Sequence, residues 1–186
     1  LTLYLDGAAN GTHAAWSVIA TINLPIGEVF IGCMHGCVHL EPAHPQWIGA
    51  DAMDNIAAEL SALAMAQTCA LRWPYSDHQI CIRPDLSLSR TVANAITTCR
   101  SNAKLAQLCR IQGLWLASKT QILEIRGHQG HAWNELADTV AKWALVQGSH
   151  DAEPSICALH EFATHDHDVA WAWMQTTHPA LSACFP

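Results

Sequence analysis

The stretch Arg126-Gly127-His128-Gln129-Gly130-His131-Ala132-Trp133-Asn134-Glu135-Leu136-Ala137-Asp138-Thr139-Val140-Ala141-Lys142-Trp143 limits what this chain can be more than any other. It opens as a glycine-rich loop with two histidines and passes into a helical pattern. Asn134 reads as the N-cap, and Leu136, Val140, Trp143 and Ala144 recur at three- and four-residue spacing as an apolar stripe. Asn134 and Asp138 are four residues apart, so they project from one face near the end where the loop enters. A carboxylate one turn into a helix, beneath a Gly-His-x-Gly loop, points to metal-dependent hydrolysis. Such chemistry needs partner carboxylates from elsewhere in the chain.

Upstream, residues 1–5 alternate as a strand ending at Asp6-Gly7. Trp16 to Ile22 reads as a second strand, Pro25-Ile26-Gly27 as a turn, and Glu28 to Leu40 as a third strand, which together predict an antiparallel meander. After a loop from Pro42 to Asp54 the pattern turns helical at Asn55. Asn55 or Asp54 caps this helix, and Ile56, Leu60, Leu63, Ala64 and Leu71 line one side. Gln79 to Arg83 is a short strand followed by Pro84-Asp85. Helices are predicted from about Ser87 to Thr98 and from about Asn102 to Ser118, the second burying Leu105, Leu108, Cys109 and Leu116. Gln121 to Ile125 is the fifth strand. The order β-β-β-α-β-α-α-β-α implies an α/β fold of the α+β mixed-sheet kind, with five strands flanked by helices, over residues 1–148. Residues 149–186 change composition and read as an extension or a linker.

About half of the residues are apolar, enough for a core, and no apolar run approaches the ~20 residues of a membrane span. There is no secretory signal, which implies an intracellular protein, and the opening inside a strand without Met suggests a piece of a longer product. The eight cysteines are scattered in mostly apolar surroundings and read as reduced core residues. The net charge of −7 is unevenly spread: −6 over residues 1–82, +4 over 83–142 and −5 over 143–186. The middle block offers a basic face, with Arg83, Arg90, Arg100, Lys104, Arg110, Lys119, Arg126 and Lys142 as candidates. Nine basic residues in all predict weak affinity for a polyanion unless another domain helps.

Four acids occupy comparable places: Asp6 ending the first strand, Glu59 early in the first helix, Asp85 after the fourth strand, Asp138 in the last helix. If strands 1, 4 and 5 lie side by side, all four reach one edge. Crowded carboxylates repel unless divalent cations neutralise them. Two Mg²⁺ about 4 Å apart would do this and clamp the attacking and leaving oxygens of a phosphodiester. The pieces Leu3-Tyr4-Leu5-Asp6-Gly7 with Trp16 downstream, Ala58-Glu59-Leu60-Ser61-Ala62-Leu63, Ile80-Cys81-Ile82-Arg83-Pro84-Asp85 and Arg126 through Asp138 together resemble a type 1 ribonuclease H domain. The similarity is greatest to domains attached to non-LTR retrotransposon reverse transcriptases, and it runs from residue 1 to about 147.

This resemblance implies cleavage of the RNA strand of an RNA–DNA hybrid by two Mg²⁺, or Mn²⁺, held by Asp6, Glu59, Asp85 and Asp138. It implies that His128 assists product departure, and that Gly7, Asn55 and Asn134 belong to the substrate-binding surface. Asn55 would meet the minor groove, whose 2′-hydroxyls distinguish RNA from DNA. It also implies a covalently linked reverse transcriptase or other nucleic-acid-binding domain, and no membrane. The sequence departs from the family pattern at Ala8, Ile56, Pro84 and Leu86, none of them among the four acids. The alternative is a catalytically inactive domain of the same fold serving as a binding or structural module. Cys33, His35, Cys37 and His39 alternate along one strand face over about 20 Å, too spread to surround one zinc ion. His165, Asp166, His167 and Asp168 read as a solvated polar turn.

Overall fold

Alternating strands divide their side chains between two faces, so each face of a meander needs its own cover. The computed structural model of the chain describes residues 1–74, 79–94, 96, 99–127 and 129–147. Its elements are β1 (Thr2–Ala9), β2 (Ala14–Leu24), β3 (Gly27–Cys37), α1 (Asn55–Arg72), β4 (Ile80–Pro84), α2 (Ser87–Ala93), α3 (Ala103–Leu116), β5 (Thr120–Ile122) and α4 (Ala132–Gln147). They follow the expected β-β-β-α-β-α-α-β-α order. The strands form one mixed sheet in the order β3-β2-β1-β4-β5. Strands β1, β2 and β3 pair antiparallel, while β4 runs parallel to β1 and β5 parallel to β4.

One face carries Leu3, Leu5, Val18 and Ile82, which pack under α1 and, with it, Val92 of α2 and Leu105, Cys109 and Leu116 of α3. The other carries Tyr4, Ile19 and Cys33, covered by Ala132, Trp133, Leu136, Ala137 and Val140 of α4. The alternating face of β3 is thus a packing face. His35 meets the Trp143 ring edge-on at 5.1 Å, and the Cys37 thiol donates to the Ala144 carbonyl at 3.8 Å. The six described cysteines form no disulfide with one another; Cys157 and Cys184 lie outside the described residues. Among the described residues, no helix is long and apolar enough to cross a membrane.

Several boundaries differ from the sequence expectation. Strand β1 does not end at Asp6-Gly7; its pairing with β2 continues to Ala9 opposite Ala14, and the turn falls at Asn10-Gly11 instead. There the Asn10 side chain accepts from the Thr12 and His13 amides, and Gly11 takes a positive φ of 88°. Helix α2 stops at Ala93, because the Ile96 amide bonds the Thr91 carbonyl five residues back and the helical repeat ends. Strand β5 is regular only to Ile122, although Leu123 and Ile125 still donate to Ile82 and Pro84 carbonyls. Leu71 is exposed rather than part of the apolar side of α1. Helix α4 begins at Ala132, so Asn134 is not its cap but lies inside the first turn. Burial of Trp133 against Phe30, with ring centroids 6.2 Å apart, draws these earlier residues into the helix.

The starts of α1 and α3 are tied together. Asp54 caps α1 by accepting from the Ala57 amide at 2.7 Å. Asn102, buried and held in the left-handed region at φ 57°, accepts from the Asp51 and Ala52 amides and donates to Asp54. Its own amide donates to the Asp51 carboxylate.

Candidate active site

The parallel register of β1 and β4 brings the first two acids together. Leu5 pairs with Pro84, so Asp6 and Asp85 are the next residues on neighbouring strands, at the same edge of the sheet. Glu59 arrives from the helical layer, and Gly7 is what lets it arrive. A Cβ on Gly7 would sit 2.5 Å from the Glu59 amide nitrogen and 2.7 Å from Ala58 Cβ, closer than packing allows. The Gly7 amide donates to Asp6 Oδ1 at 2.7 Å and, more weakly, to Glu59 Oε1 at 3.3 Å. Asp6, Glu59 and Asp85 each offer an oxygen, and these oxygens all lie within 4.8 Å of one another.

Asp138 comes from the opposite face on α4. Ser17, the cross-strand partner of Asp6, donates a 2.6 Å hydrogen bond to the carbonyl of Ala137 and so fixes the turn that carries Asp138. Asp138 stands outside the tight trio and pairs with Lys142 at 2.6 Å, one helical turn on. Its charge is nevertheless felt at the trio. Burial, then Asp85, then Asp138 push the Asp6 carboxyl up to about 8. Burial, then Asp6 and Asp85, push Glu59 up to about 10. Without a cation the group holds protons that ordinary carboxyls release.

The start of the histidine loop lies against Asp85. A Cβ on Gly127 would meet Asp85 Oδ2 at 2.8 Å, so the loop backbone is pressed against that carboxylate. His131 closes the loop with its ring 4.9 Å from the ring of Tyr4. His128 lies outside the described residues. Asn55 is exposed in the first turn of α1, on the same helix end as Glu59. Asn134 is only 1% exposed, and its Oδ1 finds no hydrogen-bond partner among the described residues. The four acids predicted from the sequence therefore gather at one edge, three tightly and the fourth beside them. Sequence reading missed Ser17, whose signal is a hydroxyl among the apolar residues at the start of β2, and the pairing of Lys142 with Asp138, four residues apart.

No protein-family model matches the chain, and no curated protein matches it. Solved structures do. The RNase H1 of the halophilic archaeon Halobacterium salinarum superposes with a TM-score of 0.56 at 20% identity, covering 79% of this chain and 98% of that one. The fold is that of ribonuclease H. LC11-RNase H1, solved in complex with an RNA/DNA hybrid, matches this ribonuclease H fold with a TM-score of 0.56 at 17% identity, over 78% of this chain and 96% of that one. The foamy viral protease-reverse transcriptase, also solved with an RNA/DNA hybrid, matches at 0.57 and 13% identity. That match covers 79% of this chain and 20% of the viral one, so the likeness is to one part of a much longer protein.

Proposed function

We propose that this chain is a ribonuclease H, an endonuclease that hydrolyses the RNA strand of RNA–DNA hybrids with two divalent ions. The observation that carries this reading is the convergence of Asp6, Glu59 and Asp85 within 4.8 Å, with Asp138 beside them. The donor set consists only of carboxylate oxygens, which suits hard cations such as Mg²⁺ or Mn²⁺. The raised Asp6 and Glu59 carboxyls fit as well, because a cation would offset the burial and the mutual repulsion that keep them protonated.

When bound, the ions supply an activated water and neutralise charge on the departing 3′ oxygen, leaving a 5′ phosphate. The chain's own part is to hold and orient. Asp6, Glu59, Asp85 and Asp138 hold the ions. The Gly7 amide fixes the orientation of the Asp6 and Glu59 carboxylates, and the Gly127 backbone confines Asp85. Asn55, exposed in the first turn of α1, would meet the 2′-hydroxyls of the minor groove. His128, the residue after Gly127 in the sequence, assists departure of the product.

With nine basic residues and a net charge of −7, the chain gains little from phosphate contacts alone. We therefore propose that it works inside a cell, covalently linked to a reverse transcriptase or another nucleic-acid-binding domain, as in a non-LTR retroelement product. The test is cleavage of a labelled RNA–DNA hybrid with Mg²⁺ and with Mn²⁺, beside Asp6→Asn. Metal-dependent cutting of the RNA strand, lost in the variant, supports the enzyme. A folded chain that leaves the hybrid intact at low salt is the inactive module instead.

A further inference from the structure

A cavity of about 430 Å³ lies between β3 and α1, on the α1 side of the sheet and closed along one edge by the loop after β3. This is the size of a small-ligand pocket. Trp16, Val38 and Met65 supply apolar wall. Set into the α1 wall is the Ser61 hydroxyl, buried and without a hydrogen-bond partner among the described residues. A buried hydroxyl left without a partner costs about 1–3 kcal/mol, so this wall favours an occupant that supplies one. Arg72, the single basic residue of the first 82, stands at the rim.

The same cavity is lined by Cys37, whose thiol donates to the carbonyl of Ala144. Helix α4 covers the opposite face of the sheet, its last turn meets the edge strand β3 at Cys37, and the described chain ends at Gln147. The sequence continues to residue 186 and holds Trp171, Trp173 and Met174. From 148 onward it has five acids (Asp151, Glu153, Glu161, Asp166, Asp168) and no Lys or Arg. The 23 residues between Gln147 and Trp171 span up to about 80 Å when extended, far more than the distance to the cavity requires.

We propose that this cavity binds the tryptophan pair of the chain's own C-terminal segment. An indole N–H is a donor without acceptor capacity, and Ser61 Oγ can accept it while the ring lies against Trp16 and Met65. The acids that precede the pair complement Arg72. The inference is independent of the nuclease reading, since no metal ligand takes part.

The test uses the full chain with a photoreactive benzophenone amino acid at the exposed rim residue Gln46 or, in a second preparation, at Met65. After irradiation, mass spectrometry should find an adduct within one chain to the peptide containing Trp171–Met174. The full-length Trp171→Ala/Trp173→Ala variant should lose that adduct. Without any label, amides of residues 34–38 and 61–68 should exchange about fivefold faster in this double variant than in the parent. Adducts only between two copies, adducts only to other segments, or none from either position would overturn the proposal. So would unchanged exchange in a double variant with the parent's melting curve.

Discussion

Ser17 Oγ and the carbonyl of Ala137 are 2.6 Å apart, a buried hydrogen bond that joins β2 to α4 across 120 residues of sequence. Because Ser17 pairs with Asp6 and Ala137 precedes Asp138, this one bond sets the distance between two of the four acids. Ser17→Ala should cost about 1 kcal/mol of stability, the net worth of such a bond. Its larger effect should be on hybrid cleavage at limiting Mg²⁺, where a misplaced Asp138 shows as a higher ion requirement. Equal activity for variant and parent across a Mg²⁺ titration would contradict the positioning role.

Asp6 and Glu59, pushed up to about 8 and about 10, remain protonated in the folded, ion-free chain where unfolded carboxyls have ionised. Their contribution to stability is complete below about pH 4 and is lost as pH rises through 8 towards 10. Melting temperature in EDTA should therefore fall from pH 5 to pH 9. Saturating Mg²⁺ should flatten the fall and release protons on binding. A melting curve in EDTA that rises over this range would refute the assignment.

Gly127 leaves no room for a side chain beside Asp85. Gly127→Ala should change stability by no more than about 0.5 kcal/mol, as loop substitutions generally do. Displacing Asp85 should weaken divalent-ion affinity by about tenfold, the scale of losses on disturbing a ligand's support. Calorimetric titration with Mn²⁺ separates the two effects.

Lys142 balances Asp138 at 2.6 Å while its own side chain is 59% exposed. Lys142→Met should destabilise the ion-free chain by less than about 1 kcal/mol, as expected of a solvent-screened pair. The rise in melting temperature on adding Mg²⁺ should be larger than in the parent, since an ion no longer competes with the ammonium. A smaller rise would mean that Lys142 supports ion binding.

Asn102 combines a left-handed backbone with bonds to Asp51, Ala52 and Asp54. Asn102→Ala should lose both, for a cost of about 2–4 kcal/mol when strain and unpaired amides are added. Asn102→Gly relieves the backbone and should be the milder of the two in thermal melts. If alanine proves as well tolerated as glycine, the φ of 57° carries no strain.

The gathering of the four acids is legible in the sequence. Asp6, Glu59, Asp85 and Asp138 sit at element ends in the sequence pattern, and periodicity fixed which elements those were. What remained hidden depends on contacts between distant segments. Periodicity marks Asn134 as a cap, but it cannot weigh the gain from burying Trp133, which moves the start of α4 three residues upstream. Nor does Asp6-Gly7 reveal that β2 will pair past it to Ala9. Asn102 reads as an ordinary helix start, because its partners are 48 to 51 residues away.

The bare backbone at Gly7 has a consequence for how the protein becomes itself. Asp6 comes from a hairpin formed by near neighbours, whereas Glu59 reaches it only after a whole helix has docked on the sheet. Asp85 must wait for the crossover to β4, and Asp138 for the helix that closes the other face. No partly built chain owns the site. An ion that needs all of these oxygens thus recognises only the finished molecule, and its binding doubles as an audit of assembly.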